Sequence, residues 1–289
     1  MNNLISVIIP TFNRRNKLKR AIESVIKQNY LEWEIIIVDN YSEDGTKDMV
    51  KTFNNSKIKL YKFANHGIIA ASRNFAIKKS KGKILAFLDS DDWWTKKKLF
   101  YSNLYFNRGY KFIYHDMRVK KKNKLFTKQI AYIRNLSGDQ FEDLKKNGPA
   151  FATSSVVIDK QLFSKVNFFK EEKKYIAWED YDAWLRVSNV YKNFYKINKS
   201  LGFIFIDNEN FLNAKRVIAN LNEFKKLYLN NSELPNWALY SIIKANYSMG
   251  NYLTVKEEIK KIKISKLNLR GQIFLICIYI MLCIKLAFS

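Results

Sequence analysis

The chain has 289 residues, 47% apolar and 15% aromatic, enough for one large domain or two small ones with a sizeable core. Nine glycines and three prolines argue against repeat or collagen-like architectures and against flexible linkers. With 51 Lys and Arg against 26 Asp and Glu, the net charge of +25 points to a polyanionic partner: nucleic acid, an anionic membrane surface or a phosphorylated substrate.

The first ~115 residues alternate apolar strands with helical segments, the pattern of a mostly parallel sheet covered on both faces. Ile5–Pro10 is a continuous apolar run suited to a buried first strand, and the stretch has no basic region or cleavage site of a signal peptide. Asn16–Asn29 has helical spacing, with Leu18, Ile22, Val25 and Ile26 on one face. Glu34–Val38 is a second strand ending at Asp39. Ser42, Asp44 and Gly45 make a turn into a helix over Thr46–Phe53. A strand at Ile58–Lys62, a helix at Ile68–Ser80 and a buried strand at Lys83–Leu88 follow, and a further helix is expected over Trp94–Tyr105.

Beyond Asp116 the pattern loosens. Strands are expected at Phe112–Tyr114, Ala152–Ile158 and Ser200–Ile206, with the basic stretch KKKNK (120–124) as a loop or hairpin. YIAWEDYDAWLRVS (175–188) has helical spacing, with Tyr181, Trp184 and Leu185 on one side. From Asn208 the chain reads as helical, broken around Glu233–Pro235 and near Gly250.

In open α/β sheets ligands bind outside the carboxyl ends of the strands. Three strand ends carry polar residues here: Thr11 and Asn13 after the first, Asp39 after the second, and Asp89, Asp91 and Asp92 after the Lys83–Leu88 strand. Asp89 and Asp91, two positions apart, suit a hard divalent cation that shares its shell with phosphate oxygens. The other reading is an acidic turn that caps the next helix. His66 and His115 have no partner at metal-ligand spacing, so zinc is not expected.

SVIIPTFNR (6–14), IIIVDNYSEDGT (35–46), ASRNFAI (71–77), FLDSDDWW (87–94) and WEDYDAWLR (178–186) come in an order and spacing that resembles family 2 glycosyltransferases with the GT-A fold. The resemblance covers roughly residues 4–207. It implies a Rossmann-like nucleotide-binding sheet with a mixed acceptor-side extension, followed by C-terminal helices. The nucleotide-sugar half would be residues 1–115, the acceptor-side half 116–207, and 208–289 a helical region with a basic, apolar tail.

The resemblance also implies an inverting transfer from a nucleotide-sugar, most simply a UDP-sugar, to a glycan or lipid-linked glycan acceptor. Thr11 and Asp39 would hold uracil and ribose, with Asn13 close by, and Asp89 would lie near the ribose. Arg73 would approach the nucleotide or its phosphates, or else be a surface helix arginine. Asp91 would ligate Mn²⁺ or Mg²⁺, with Asp92 as its partner or as a helix cap. Asp180 would be the general base that takes the acceptor proton, with Glu179 the second candidate. Asp182 is expected to be a solvated helix charge. Thr153–Ser155 matches a segment on the acceptor side. Many relatives carry an Arg and a His near the diphosphate after the last strand, whereas Phe205 and Asp207 stand there in this chain; Asp207 would ligate the metal or cap a helix.

Ile273 to Ile284 is apolar throughout, short of the ~20 residues a spanning helix needs. Residues 251–271 ahead of it carry six Lys or Arg and two Glu. That combination suits a peripheral anchor on anionic lipids at the inner face of the cell membrane, or else a helix packed on protein. Cys277 and Cys283, six apart on that helix, face different ways, which agrees with a reducing, cytoplasmic compartment. Homo-oligomerisation is possible. A nucleotidyltransferase would need a glycine-rich phosphate loop, and PTFNRRNK has no glycine. A nucleic-acid binder would interleave aromatic and basic residues on one face, so no nucleic-acid partner is expected.

Overall fold

Continuous apolar runs and amphipathic segments condense, in a computed structural model, into alternating strands and helices. Residues 2–121, 131, 133–206, 213–267 and 269–287 are described. The order is β1 (Ile5–Thr11), α1 (Arg15–Ile26), β2 (Trp33–Asp39), α2 (Thr46–Lys51), β3 (Ile58–Lys62), α3 (Ile69–Lys79), β4 (Ile84–Phe87), β5 (Trp93–Trp94) and α4 (Lys98–Asn107). It continues through β6 (Phe112–Lys121), α5 (Gln140–Asn147), β7 (Val157–Asp159), α6 (Lys160–Ser164), α7 (Glu179–Val190) and β8 (Phe194–Ile206). Four helices follow: α8 (Ala214–Tyr228), α9 (Asn236–Ser248), α10 (Tyr252–Lys261) and α11 (Leu269–Ala287).

The chain forms two compact units, Met1–Phe141 with Ala150–Asn210, and Glu142–Pro149 with Phe211–Ser289. In the first, one mixed sheet runs β3-β2-β1-β4-β7-β6-β8-β5. β3, β2, β1 and β4 are parallel, which brings the ends of β1, β2 and β4 to one edge. β7 lies antiparallel to both β4 and β6 and turns the rest of the sheet into a mixed extension. Alternate residues of the central strands bury opposite faces. Ile5, Val7, Ile9, Ile35, Ile37, Ile84 and Ala86 join Leu18, Ile22 and Val25 of α1 in one core. Phe87 faces the other way, into rings from Phe163, Phe169 and Trp184.

Several elements differ from the expectations of the sequence. Trp94 does not open a helix: Trp93 and Trp94 pair with Phe203 and Gly202 of β8, the Trp93 ring stacks on Phe203 at 4.9 Å, and α4 begins only at Lys98. Cross-strand aromatic contact wins there over helical spacing. Within Ala152–Ile158, Thr153–Ser155 form a 3₁₀ turn because the Ser155 amide and hydroxyl both donate to the Ala152 carbonyl. The helix expected from residue 175 starts at Glu179, after Ala177 adopts φ 68° and Trp178, the N-cap residue, a non-helical φ of −148°. β6 and β8 run far beyond the expected three and seven residues, because their long parallel pairing extends from Phe112 to Lys121. Much of KKKNK and all of Asp207 lie outside the described residues.

In the second unit, Leu275 and Ile278 of α11 pack with Leu239, Ile243, Val255 and Ile259 of α9 and α10. Among the described residues, no helix is long and apolar enough to cross a membrane.

Candidate active site

A cleft of about 350 Å³ opens at the carboxyl ends of β1 and β4. Thr11, Arg14, Asn40, Asn65, Asp89 and Asp91 are among its lining residues. Thr11 and Asp39 are register partners on β1 and β2. Both are buried, and each keeps one oxygen without a hydrogen-bond partner: Thr11 Oγ1 and Asp39 Oδ2. A buried polar atom without a partner is costly, so this pair is set up to receive one. The other Asp39 oxygen accepts from the Ser42 amide and hydroxyl, which fixes the carboxylate plane. Asn13, at φ 48°, accepts from the Glu43 amide and donates its own amide to Ser42 Oγ. It ties down the loop after β2.

Asp89 and Asp91 follow β4. Asp89 has its side chain 33% exposed, whereas Asp91 is largely buried. Burial and the Asp89 charge push the Asp91 carboxyl above its usual range, against Arg14 and Lys17. Two crowded carboxylates at the mouth of a cleft are a donor set that a hard divalent cation relieves. Among the described residues, no group of three or more His, Cys, Asp or Glu is placed to hold a metal. A cation there would have only two protein carboxylates and would take its other ligands from water or phosphate, as Mg²⁺ commonly does. Asp92 sits behind them, fully buried. Its Oδ1 accepts the Phe205 amide, and burial beside Asp89 and Asp91 raises its carboxyl strongly. It does not cap α4, which starts six residues later.

Arg73 is no surface arginine. It is 4% exposed on α3, and its guanidinium donates to Glu179 Oε1 at 2.6 Å and to Asp89 Oδ1 at 2.8 Å. Burial opposes its charge, but Asp89, Glu179 and Asp180 outweigh that and hold it protonated. One residue thereby joins the acidic turn after β4 to the acidic start of α7. Glu179 is buried and committed to this pair; burial pushes its carboxyl up against the pull of Arg73. Asp180 is the more accessible of the two, with Oδ2 accepting from Thr153 Oγ1 at 2.6 Å. Asp182 is not solvated. It is 1% exposed and pairs with Arg186 at 2.8 Å, and Arg186 also donates to the carbonyls of Val166 and Phe168.

The 3₁₀ turn is the second connector. Next to Thr153, Ser154 Oγ accepts the Asp89 amide at 3.0 Å, and the Ser154 carbonyl accepts Trp94 Nε1 at 2.8 Å. The sequence singles out these hydroxyls but not what they hold, since their partners lie 27 to 65 residues away. Arg14, Lys17 and Arg20 also reach the acidic turn, and sequence reasoning missed them. Their spacing of three along one helix was the available signal.

Residues 6–165 match the model of the Glycosyl transferase family 2. The Escherichia coli enzyme UDP-Glc:alpha-D-GlcNAc-diphosphoundecaprenol beta-1,3-glucosyltransferase WfgD is 31% identical over 185 residues, 64% of this chain and 69% of that protein. The E. coli enzyme of the same description named WfaP is 31% identical over 193 residues, 64% and 70% of the two chains. Among solved structures, S. aureus TarS in complex with UDP aligns with TM-score 0.58 at 20% identity, over 83% of this chain and 80% of that one. The mannosyltransferase PcManGT from Pyrobaculum calidifontis, in complex with GDP-Man and Mn²⁺, aligns with TM-score 0.61 at 14% identity, over 97% and 87%. The mixed α/β fold is therefore GT-A, and glycosyl transfer sets aside the nucleotidyltransferase alternative. With its sheet, its acidic turn and its family match in agreement, this chain belongs to the family 2 glycosyltransferases.

Proposed function

We propose that the protein is an inverting, metal-assisted glycosyltransferase that moves one sugar from a UDP-sugar to a hydroxyl of a lipid-linked or surface glycan. The observation that carries this reading is one cleft that joins the unpartnered Thr11 hydroxyl, beside the unpartnered Asp39 oxygen, to the paired carboxylates Asp89 and Asp91. An unpaired carboxylate oxygen accepts an N–H or hydroxyl of uridine, and Thr11 completes the recognition. WfgD and WfaP, whose names describe a UDP-glucose donor and a diphosphoundecaprenol-linked acceptor, support the substrate class.

Asp91, with Asp89 beside it, would hold Mn²⁺ or Mg²⁺, which neutralises charge on the departing nucleoside diphosphate. Asp92 backs the turn from inside. Asp180 takes the proton of the acceptor hydroxyl as that oxygen bonds to the anomeric carbon. The carbon's bond to the diphosphate oxygen breaks in the same displacement, and its electron pair leaves on UDP. Thr153 orients Asp180 for this task, and Arg73 holds Glu179 in a buried pair beside it. The protein acts at the inner face of the cell membrane, held peripherally by α11 and the lysines before it.

Purified protein with Mn²⁺ is expected to release UDP from one member of a nucleotide-sugar panel when a lipid-diphosphate acceptor is supplied. Asp91→Ala abolishes the Mn²⁺-dependent release, and Asp180→Asn lowers kcat by about 10²- to 10⁴-fold while UDP still binds. Full turnover of Asp91→Ala in the presence of a chelator would remove the metal from the mechanism.

A further inference from the structure

Besides Arg73 of α3, three cations at the start of α1 face the acidic turn. Arg14 caps the helix, and Lys17 and Arg20 follow at intervals of three, so the three share a side. Arg20 is fixed: its guanidinium lies 3.8 Å from the centre of the Trp93 ring and 4.7 Å from that of Phe205, and Nη2 donates to the Asp91 carbonyl at 2.6 Å. Lys17 lies over the same Phe205 ring at 5.7 Å. Arg14 differs from both. It lines the cleft, its side chain is 31% exposed, and Nη1 donates to the Asp91 carboxylate at 2.5 Å.

In the structure Asp91, buried beside Asp89, is paired with the Arg14 guanidinium. A divalent ion at Asp91 would repel the guanidinium next to it. The diphosphate that arrives with the ion offers the fork of donors a better-matched partner.

We infer that Arg14 grips the donor's diphosphate, and that its pair with Asp91 is the resting position it leaves when a divalent cation takes that carboxylate. This inference rests on the nucleotide-sugar reading of the cleft. It has a consequence that a structural role lacks. Arg14 opposes the metal when no nucleotide is present, and it favours the nucleotide once the metal is in.

Titration calorimetry separates the two effects, with UDP and uridine in the presence of Mn²⁺, and with Mn²⁺ alone. Arg14→Gln is expected to weaken UDP by about tenfold or more, as for loss of a hydrogen bond to a charged group, to leave uridine unchanged and to tighten Mn²⁺ alone. Arg14→Lys, which keeps the charge but not the fork, loses less for UDP, and it carries the test if Arg14→Gln does not fold. Unchanged UDP affinity, or Mn²⁺ affinity that falls or stays the same in Arg14→Gln, overturns the inference. So does loss of uridine together with UDP, because that marks a general disturbance of the cleft. If wild-type protein binds no UDP, the nucleotide reading itself fails; if only the variants behave as wild type, that reading stands and the role of Arg14 falls.

Discussion

Thr153 Oγ1 and Ser154 Oγ are neighbours in the chain, yet they serve opposite sides of the site. The first holds the Asp180 carboxylate and the second holds the Asp89 amide. Their removal is therefore expected to split the kinetics. Thr153→Val lowers kcat by about tenfold, as for one hydrogen bond to a charged group, with the donor KM little changed. Ser154→Ala raises the donor KM instead, and steady-state kinetics with varied donor distinguishes them. His115 makes a second prediction at this scale. It is buried on β6, its Nε2 has no partner, and burial with nearby Lys98 holds the imidazole well below its usual 6.5. The unfolded chain binds a proton near pH 6.5 that the folded chain refuses. Stability is thus complete above that pH and falls as pH drops below it, by up to about 1.4 kcal/mol per unit. Urea unfolding from pH 7.5 to 5 should show this slope, and His115→Gln should flatten it.

The turn between α3 and β4 shows what element-level geometry demands. Buried Glu34 on β2 accepts from Ser6 Oγ on β1 at 2.7 Å and from the Lys81 amide at 2.5 Å, and the Gly82 amide donates to Ser6 Oγ at 2.9 Å. A Cβ at Gly82 would meet the Leu4 carbonyl oxygen at 2.5 Å and the Ser6 amide nitrogen at 2.9 Å, both backbone atoms of the first strand's start. Gly82→Ala forces the β4 entry away from β1, at a cost of roughly 1–3 kcal/mol. Since β4 ends at the acidic turn, thermal unfolding and UDP affinity should both suffer, stability most. On α3 the apolar stripe is weak, because Arg73 and Asn74 are turned inward. Asn74 donates to the Phe169 carbonyl at 2.8 Å, and Arg73 reaches both acidic motifs.

Residues 251–271, ahead of the apolar run of α11, carry six Lys or Arg against two Glu. α11 buries Leu275 and Ile278 in its own unit while Leu269, Ile273, Ile276 and Ile280 remain 49–71% exposed. Lys260, Lys261 and Lys263, just before it, are exposed as well. A helix with one face in its own core cannot be a free spanning segment, and its bare apolar face suits the headgroup boundary of a bilayer. Anionic lipid adds about 1 kcal/mol for each nearby lysine. Ile276→Glu with Ile280→Glu is expected to abolish co-sedimentation with vesicles rich in anionic lipid and to leave UDP affinity intact. Raised salt is expected to weaken co-sedimentation of the wild-type protein with the same vesicles, as charge attraction is screened. Retention of the double variant on vesicles at low salt would show that the lysines alone suffice.

The strands of the first ~115 residues and the family were legible in the residues themselves. A strand buried on both faces is a continuous apolar run wherever it occurs, and Thr11, Asp39 and Asp89 mark strand ends by polarity alone. Tertiary structure decided what those polar groups touch. Arg73 is a bridge between two acidic motifs because Glu179, 106 residues away, comes to its side, and buried Asp182 pairs with Arg186, whose guanidinium is held in turn by the Val166 and Phe168 carbonyls. Trp93 and Trp94 are strand because β8 presents Phe203 and Gly202 to them. Local spacing and polarity are properties of neighbouring residues, and a sequence displays them directly. A charge's partner is set by which distant segments the sheet brings together, and one sequence without its fold does not encode that in any local pattern.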